Sequence, residues 1–421
     1  MPPDIEKTKN KYSKIIIVFK TLIGVIIFVL ALSFLIYKSG NLLISWAGVS
    51  DSVESRGYLN GDADSVSEGD AEIVKTVEKI SRHATGTLES LAISSTSSTV
   101  APYSDIQYVI LSFDGSRSLS MWNETRQFAK DMTAKGKPVH FTYFINPIYL
   151  ITKSTAKNVY RPPRAQMGAS LIGYADSEQD VKNRVEQINL AYSEGNEIGS
   201  HNVGHYNGSK WSHDEWLQES NSFDSIIMNV QKNNPNVVIP PWNFNISEFV
   251  GFRAPELGVN SNLYKVLSEK KYLYDTSGMR MPTKYPTKDK NGIWHIGLGI
   301  IKAPDLHSKL NNPDASNKSS YVLSMDYNFW MMQSNVRNTA KKGTPLWNSF
   351  FGEMKDAYLG YFNKNYEGNH APVVIGHHFS TWNDGVYWEV MKSFAEDVCG
   401  KPKVKCVTFK EYVDYLNSVA K

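Results

Sequence analysis

The longest unbroken apolar stretch of the chain covers residues 15–37, 23 positions whose single charge is Lys20. A helix of that length spans roughly 34 Å at ~1.5 Å per residue, enough to cross the hydrocarbon core of a bilayer. Residues 22–35 are apolar on nearly every side, which argues against a buried amphipathic helix. Lys7, Lys9, Lys11 and Lys14 precede the run, whereas Lys38, Asp51 and Glu54 follow it. The positive-inside bias therefore predicts a cytoplasmic tail over 1–14, a signal-anchor helix over 15–37 and everything later outside the cytoplasm. A cleaved signal peptide ending at Ser45-Trp46-Ala47 is the competing reading; its apolar region would run only about 7 to 15 residues.

Residues 38–102 turn polar, rich in Ser, Gly, Asp and Glu from residue 48 onward, and read as a linker or stalk with one helical pattern near 71–91. From residue 103 to 421 the periodicity alternates. Short apolar runs at 108–113, 139–145, 197–199, 250–252, 272–274, 292–301 and 373–375 predict strands, and helical spacing recurs at 121–134, 178–192, 214–231 and 261–270. Strands alternating with helices predict a parallel-sheet α/β fold, possible as a barrel.

Composition narrows the function. The 421 residues are 41% hydrophobic, enough for a substantial core, and 45 Lys+Arg against 42 Asp+Glu leave a net charge of +3. So small a balance predicts no nucleic-acid partner. Cys399 and Cys406 are the only two cysteines, too few for a disulfide scaffold or a four-cysteine zinc ribbon. Outside the cytoplasm they are either a short-loop disulfide or two buried thiols. Walker, G-x-S-x-G, G-x-G-x-x-G and H-E-x-x-H patterns are missing.

In α/β barrels chemistry gathers where strands run out into loops, and four strand ends carry candidates. Asp114 follows the first strand, as a metal ligand, a proton acceptor or part of an ordinary Asp-Gly-Ser turn. His201 and His205 follow 197–199, four residues apart and able to share an ion at about 2.0 to 2.1 Å per Zn–N bond. Arg253 follows 250–252 and offers a bidentate fork to a carboxylate or a surface ion pair. His377 and His378 follow 373–375 and can deliver a proton near neutral pH. Neighbours on a strand face opposite ways, so one of this pair points into a site.

These ends, in this order, resemble the polysaccharide deacetylase family, the NodB-homology group of carbohydrate esterases. The matching segments are Ser112-Phe113-Asp114-Gly115, Thr142-Tyr143-Phe144, Gly195-Asn196-Glu197-Ile198-Gly199-Ser200-His201 through His205, Arg253-Ala254-Pro255, Tyr274-Asp275-Thr276-Ser277 and Ile375-Gly376-His377. The resemblance implies a distorted (β/α)7-type barrel that holds one divalent ion, Zn²⁺ first with Co²⁺ or Mn²⁺ as substitutes. It implies hydrolysis of N-acetyl groups on an envelope or extracellular polysaccharide. His201 and His205 carry over as metal ligands. The family's tandem aspartates do not carry over, since Gly115 follows Asp114; Asp114 takes either the ligand or the base role. Glu256 stands where the family has an aromatic residue. Arg253 is then the carboxylate-positioning residue, His377 or His378 the general acid and Asp275 a lesser candidate for tuning it. Trp242, Trp294, Trp330 and Trp382 are candidates for stacking on sugar rings. An O-acetyl ester is a chemically easier substrate, and a glycan-binding protein without turnover is the alternative function.

Overall fold

The computed structural model describes residues 99–303 and 320–419, all within the compact unit Val66–Lys421. The predicted membrane helix and linker residues 38–98 lie outside these residues; among those described, no helix is long and apolar enough to cross a membrane.

The chain opens with β1 (Gln107–Asp114), α1 (Leu119–Ala134), β2 (Phe141–Ile145), α2 (Glu178–Ser193) and β3 (Glu197–Ser200). It continues through α3 (His213–Met228), β4 (Gly251–Phe252), α4 (Ser261–Glu269), β5 (Tyr274–Asp275), β6 (Trp294–His295) and β7 (Leu298–Ala303). The predicted strand over 292–301 is thus two strands. They divide at Gly297, where an added Cβ would lie 2.6 Å from the Gly278 carbonyl oxygen. The last third holds β8 (Ser320–Leu323), α5 (Asp326–Ser334), α6 (Pro345–Tyr366), β9 (Val373–His378), α7 (Trp382–Val398), β10 (Val404–Val407) and α8 (Phe409–Val419). Of these only β9 was predicted. The 22-residue α6 carries aromatics on several sides and two glycines, which blurs its 3.6-residue period.

Strands β6-β5-β4-β3-β2-β1-β9 lie side by side in that order, every pair parallel. Beyond β6 come Thr287–Lys288 and Thr99–Val100, both antiparallel. β10 lies parallel to the first half of β1. The sheet is curled. Arg253 at the end of β4 reaches Ser112 and Asp114 on β1, three strands away. At about 4.8 Å per strand a flat sheet would put them roughly 14 Å apart. The fold is therefore an α/β half-barrel, in line with the expected distorted barrel.

The strand period then sorts the side chains. Val109, Leu111 and Phe113 of β1 join Met121 and Trp122 of α1, Tyr358 of α6 and Trp388 of α7 in the outer core. Tyr108 and Ile110 turn inward with Phe144, Tyr274, Trp294, Leu298 and Phe409. All eight β1 residues are buried, the condition of a central strand covered on both faces.

Cys399, at the end of α7, is disulfide-bonded to Cys406 in β10, with 5.8 Å between their Cα atoms. The bond ties the helix that follows β9 to the strand beside β1. Replacing both cysteines by serine is expected to lower the unfolding free energy by roughly 2 to 3 kcal/mol from the entropy of so short a loop. A shift in denaturation midpoint at unchanged m-value checks this.

Candidate functional site

The site forms where β1, β3, β4 and β9 end. Asp114 closes β1 at 2% exposure, and its Oδ1 accepts a 2.7 Å bond from Arg253 Nη1. Arg253 is itself fully buried; its Nη2 donates to Ser112 Oγ at 2.9 Å and to Thr276 Oγ1 at 3.4 Å. The guanidinium lies over the Phe144 ring, 4.5 Å from its centroid, a cation–π contact in a desolvated place. Burial pushes the Asp114 carboxyl up, but Arg253, with His201 and His378, outweighs it and holds the group below the ordinary carboxylate range.

His201, just past β3, is 2% exposed, and its Nδ1 lies 2.7 Å from the Arg253 carbonyl oxygen. A carbonyl only accepts, so Nδ1 carries the proton and Nε2 keeps its lone pair. Burial drives this imidazole down to about 3; it stays neutral at working pH. The His205 ring centroid lies 5.1 Å away. His205 has φ +63°, and burial, with the charge of His378, lowers its pKa as well. A buried carboxylate supports the loop between the two histidines: Glu219 Oε1 accepts from the Val203 N–H at 2.9 Å. Tyr160 Oη donates to Glu219 and accepts from the Gly204 N–H at 3.1 Å.

β9 separates its two histidines by the strand period. His377 pairs in register with Phe113 and His378 with Asp114. His377 therefore faces the outer core, 1% exposed and 3.0 Å from the Tyr358 hydroxyl, and burial lowers it to about 4. It is a packed core imidazole, not a site residue. His378 faces Asp114. Its Nδ1 lies 2.7 Å from Asp326 Oδ1, and its backbone N–H donates to Asp326 Oδ2 at 2.9 Å. Burial opposes protonation of His378, but the Asp326 charge and hydrogen bond, with Asp114, raise its pKa above the ordinary histidine value.

Asp326, the first residue of α5, escaped the sequence reading. The signal was there: it follows the apolar run 321–323 at a short distance, much as Asp114 ends the run 108–113. Asp275 does not tune a β9 histidine; its Oδ1 accepts from Ser277 Oγ at 2.5 Å and its Oδ2 lies 4.0 Å from His295. Trp294 is fully buried and offers no sugar platform, and Trp242 packs on Phe244 with its Nε1 bonded to the Ile227 carbonyl.

Asp114, His201 and His205, the expected metal set, come close enough to act on one another's charge. Among the described residues no group of three or more His, Cys, Asp or Glu side chains is arranged to hold a metal ion. The reason is local. Asp114 is committed to Arg253, and the next position is Gly115, with φ +78° and open space where a Cβ would stand. His201 and His205 remain as two neutral imidazoles.

No family profile and no curated protein matches the chain. Solved polysaccharide deacetylases and carbohydrate esterases of family 4 do match it in structure. A Mycobacterium smegmatis protein assigned as a polysaccharide deacetylase is 13% identical, covering 76% of this chain and 95% of its own, with a TM-score of 0.47. The peptidoglycan deacetylase PdaC of Bacillus subtilis is 12% identical over 74% of this chain and 92% of its own, with a TM-score of 0.35. A family 4 pseudoenzyme of Bacillus anthracis is 9% identical over 73% and 66%, with a TM-score of 0.34. Identities and TM-scores this low leave the function to be argued from the site's own residues.

Two imidazoles beside a carboxylate already paired with Arg253 make an incomplete donor set. Zn²⁺ titrated into the protein is expected to bind weakly and to lose that binding in His201→Ala. Gly115→Asp is expected to tighten it at least about tenfold, aspartate being among the side chains that tolerate positive φ. Calorimetric titration reads both; tight stoichiometric binding by the wild type would show a third donor already in place.

Proposed function

We propose that the chain is a hydrolase that removes acetyl groups from an N-acetylated glycan outside the cytoplasm. One observation carries this reading: the Asp114–Arg253 pair and the Asp326–His378 pair share the inner face of the sheet and act on each other's charge. One pair holds a carboxylate ionised and the other favours an imidazolium, the two protonation states that base and acid need at the start of an acyl transfer. The Asp114 carboxylate takes a proton from water as the oxygen attacks the acetyl carbon. His378 gives a proton to the nitrogen as the C–N bond breaks, leaving acetate and an amine. An ester would part by the same proton transfers. Arg253 positions Asp114, and Asp326 fixes the His378 ring. His201 and His205 border this space; with the donor set incomplete, no step is assigned to a metal.

The motif order from Ser112 to His377 supports a glycan as substrate. The Cys399–Cys406 disulfide supports an oxidising compartment and agrees with a single-pass anchor over 15–37, its N-terminus cytoplasmic. A second reading has its own observation. Gly115 at the position of a metal-ligating aspartate favours a glycan-binding protein without turnover.

The full chain, purified in detergent micelles, is expected to release acetate from N-acetylglucosamine oligomers, and His378→Ala is expected to lower kcat by about 10² to 10⁴. Oligomer binding with no acetate released, with or without added Zn²⁺, Co²⁺ or Mn²⁺, moves the assignment to the second reading. A pH profile tests the roles. His378 acts only while protonated, so activity holds below its raised pKa and falls as pH rises through it. Asp326→Asn removes the group that raises that pKa, so the alkaline limb moves to lower pH. A limb that stays in place rejects His378 as the acid.

A further inference from the structure

The aromatic rings beside His378 are not explained by proton transfer. Trp382 lies 5.2 Å from the His378 ring and Tyr327 lies 6.2 Å from it, centroid to centroid. Trp330 stacks on Trp382 at 4.2 Å with an interplanar angle of 11°, and Tyr327 meets both edge-on at 6.1 and 5.9 Å. Tyr327 is 36% exposed and both tryptophans are only partly buried. Three large rings thus form a wall open to solvent beside the candidate proton donor.

The backbone that presents Trp382 is costly. Asn383, Asp384 and Gly385 have φ values of +50°, +59° and +75°, three left-handed residues in a row, whereas Asn and Asp ordinarily adopt this region one residue at a time. Such a run persists only where its surroundings fix it. Asn383 Oδ1 accepts from the Thr339 and Ala340 N–H groups at 2.8 and 3.2 Å, while its Nδ2 donates to Ser334 Oγ at 3.0 Å and Tyr387 Oη at 2.9 Å. Asp384 Oδ2 accepts from the Lys342 N–H at 2.9 Å. On the other side, Trp330 Nε1 donates to the Arg337 carbonyl at 3.0 Å, which fixes that ring. The wall also shares helix α5 with Asp326, so the element that orients His378 carries Tyr327 as its next residue.

We infer that Trp382, backed by Trp330 and flanked by Tyr327, is a ring-stacking subsite for the sugar on the leaving-group side of the scissile bond. This rests on the hydrolase reading in one respect: a general acid must touch the leaving nitrogen or oxygen, and that atom is attached to a pyranose. The ring so attached lies within reach of the Trp382 and Tyr327 rings, whose centroids are 5.2 and 6.2 Å from that of the imidazole. A pyranose offers a flat array of C–H groups, the surface that an indole face packs against. The wall therefore selects glycans over free acetamides, and oligomers over a single sugar that can sit in more than one orientation.

Two measurements on the full chain in detergent test this: KM for acetate release from N-acetylglucosamine tetramer, and calorimetric binding of the glucosamine tetramer, which has no acetyl group. Trp382→Ala is expected to raise both KM and Kd about tenfold, and Trp382→Phe, which keeps a flat ring at the same turn, to recover most of the loss. Failure of Trp382→Phe to recover binding would assign the residue a structural role and overturn the subsite. Normal acetate release with unchanged KM and Kd in Trp382→Ala also overturns it, while leaving the hydrolase reading intact. Tetramer binding that weakens in Trp382→Ala, with no acetate released by the wild type, keeps the subsite and removes the hydrolase reading. Absence of tetramer binding by the wild type overturns the subsite.

Discussion

A guanidinium cannot stay charged in an apolar interior without a partner, and Arg253 has no water-facing surface. Its partner, Asp114, sits three strands away in the sheet order, so the ion pair and the curl of the sheet require each other. Removing either charge would strand the other in a desolvated place, at a cost of about 3 to 5 kcal/mol. Ser112 and Thr276 accept from the second terminal nitrogen of Arg253 and the Phe144 ring covers one face of the guanidinium, and the Arg253 carbonyl fixes the His201 tautomer. One residue therefore joins β1, β3 and β4 at the end of the sheet where the polar groups collect.

The same strand geometry decides which histidine can act. In a parallel pair, residues in register share a face, so the pairing of His378 with Asp114 fixes both on the inside and sends His377 to Phe113 and Tyr358. Chemistry follows from the partner each ring finds. Burial leaves His377 neutral, with only the Tyr358 hydroxyl bonded to its ring, whereas the Asp326 carboxylate bonded to His378 makes that ring easier to protonate than a free histidine. At His201 the Asp114 charge, and at His205 the Glu256 and Asp114 charges, favour protonation but are outweighed by burial. Both rings are neutral by burial, which is the ligand-competent state of imidazole, but Gly115 supplies no third donor.

The parts of the fold legible in the sequence are those with a single dominant period. The run 108–113 is apolar enough to be nothing but a central strand, and 178–192 and 261–270 keep helical spacing with polar outer faces. Candidate site residues were legible where a polar group interrupts such a run at its end, as with Asp114, His201, Arg253 and His378. The rest depends on contacts that no local pattern encodes. Whether Asp114 serves as ligand or base turns on Arg253, 139 positions away. The partner of His378 is Asp326 rather than Asp275, because β9 bridges to Met325 while β5 lies on the far side of β4. Helices α6 and α7 were missed since aromatic residues and left-handed turns obscure their spacing.

Left-handed backbone at residues other than glycine marks where structure has been bent to present side chains. Some instances, such as Lys271 after α4 and Lys403 before β10, close ordinary turns. Others sit around the site: Asn202 and His205 in the histidine loop, Glu256 after β4, and Asn383 and Asp384 after β9. Their loops are tied down by side-chain bonds. Asn146 Nδ2 donates to the Asn202 carbonyl, Glu219 holds Val203, Asn207 Nδ2 donates to Glu256 Oε2, and Asn383 spends its own amide on four partners. A loop that only linked a strand to a helix would relax into cheaper conformations, because nothing would be lost by moving its side chains. These loops are instead fixed with His205 beside His201 and Trp382 beside His378, an arrangement that makes sense for a site whose ligand must be met in one orientation.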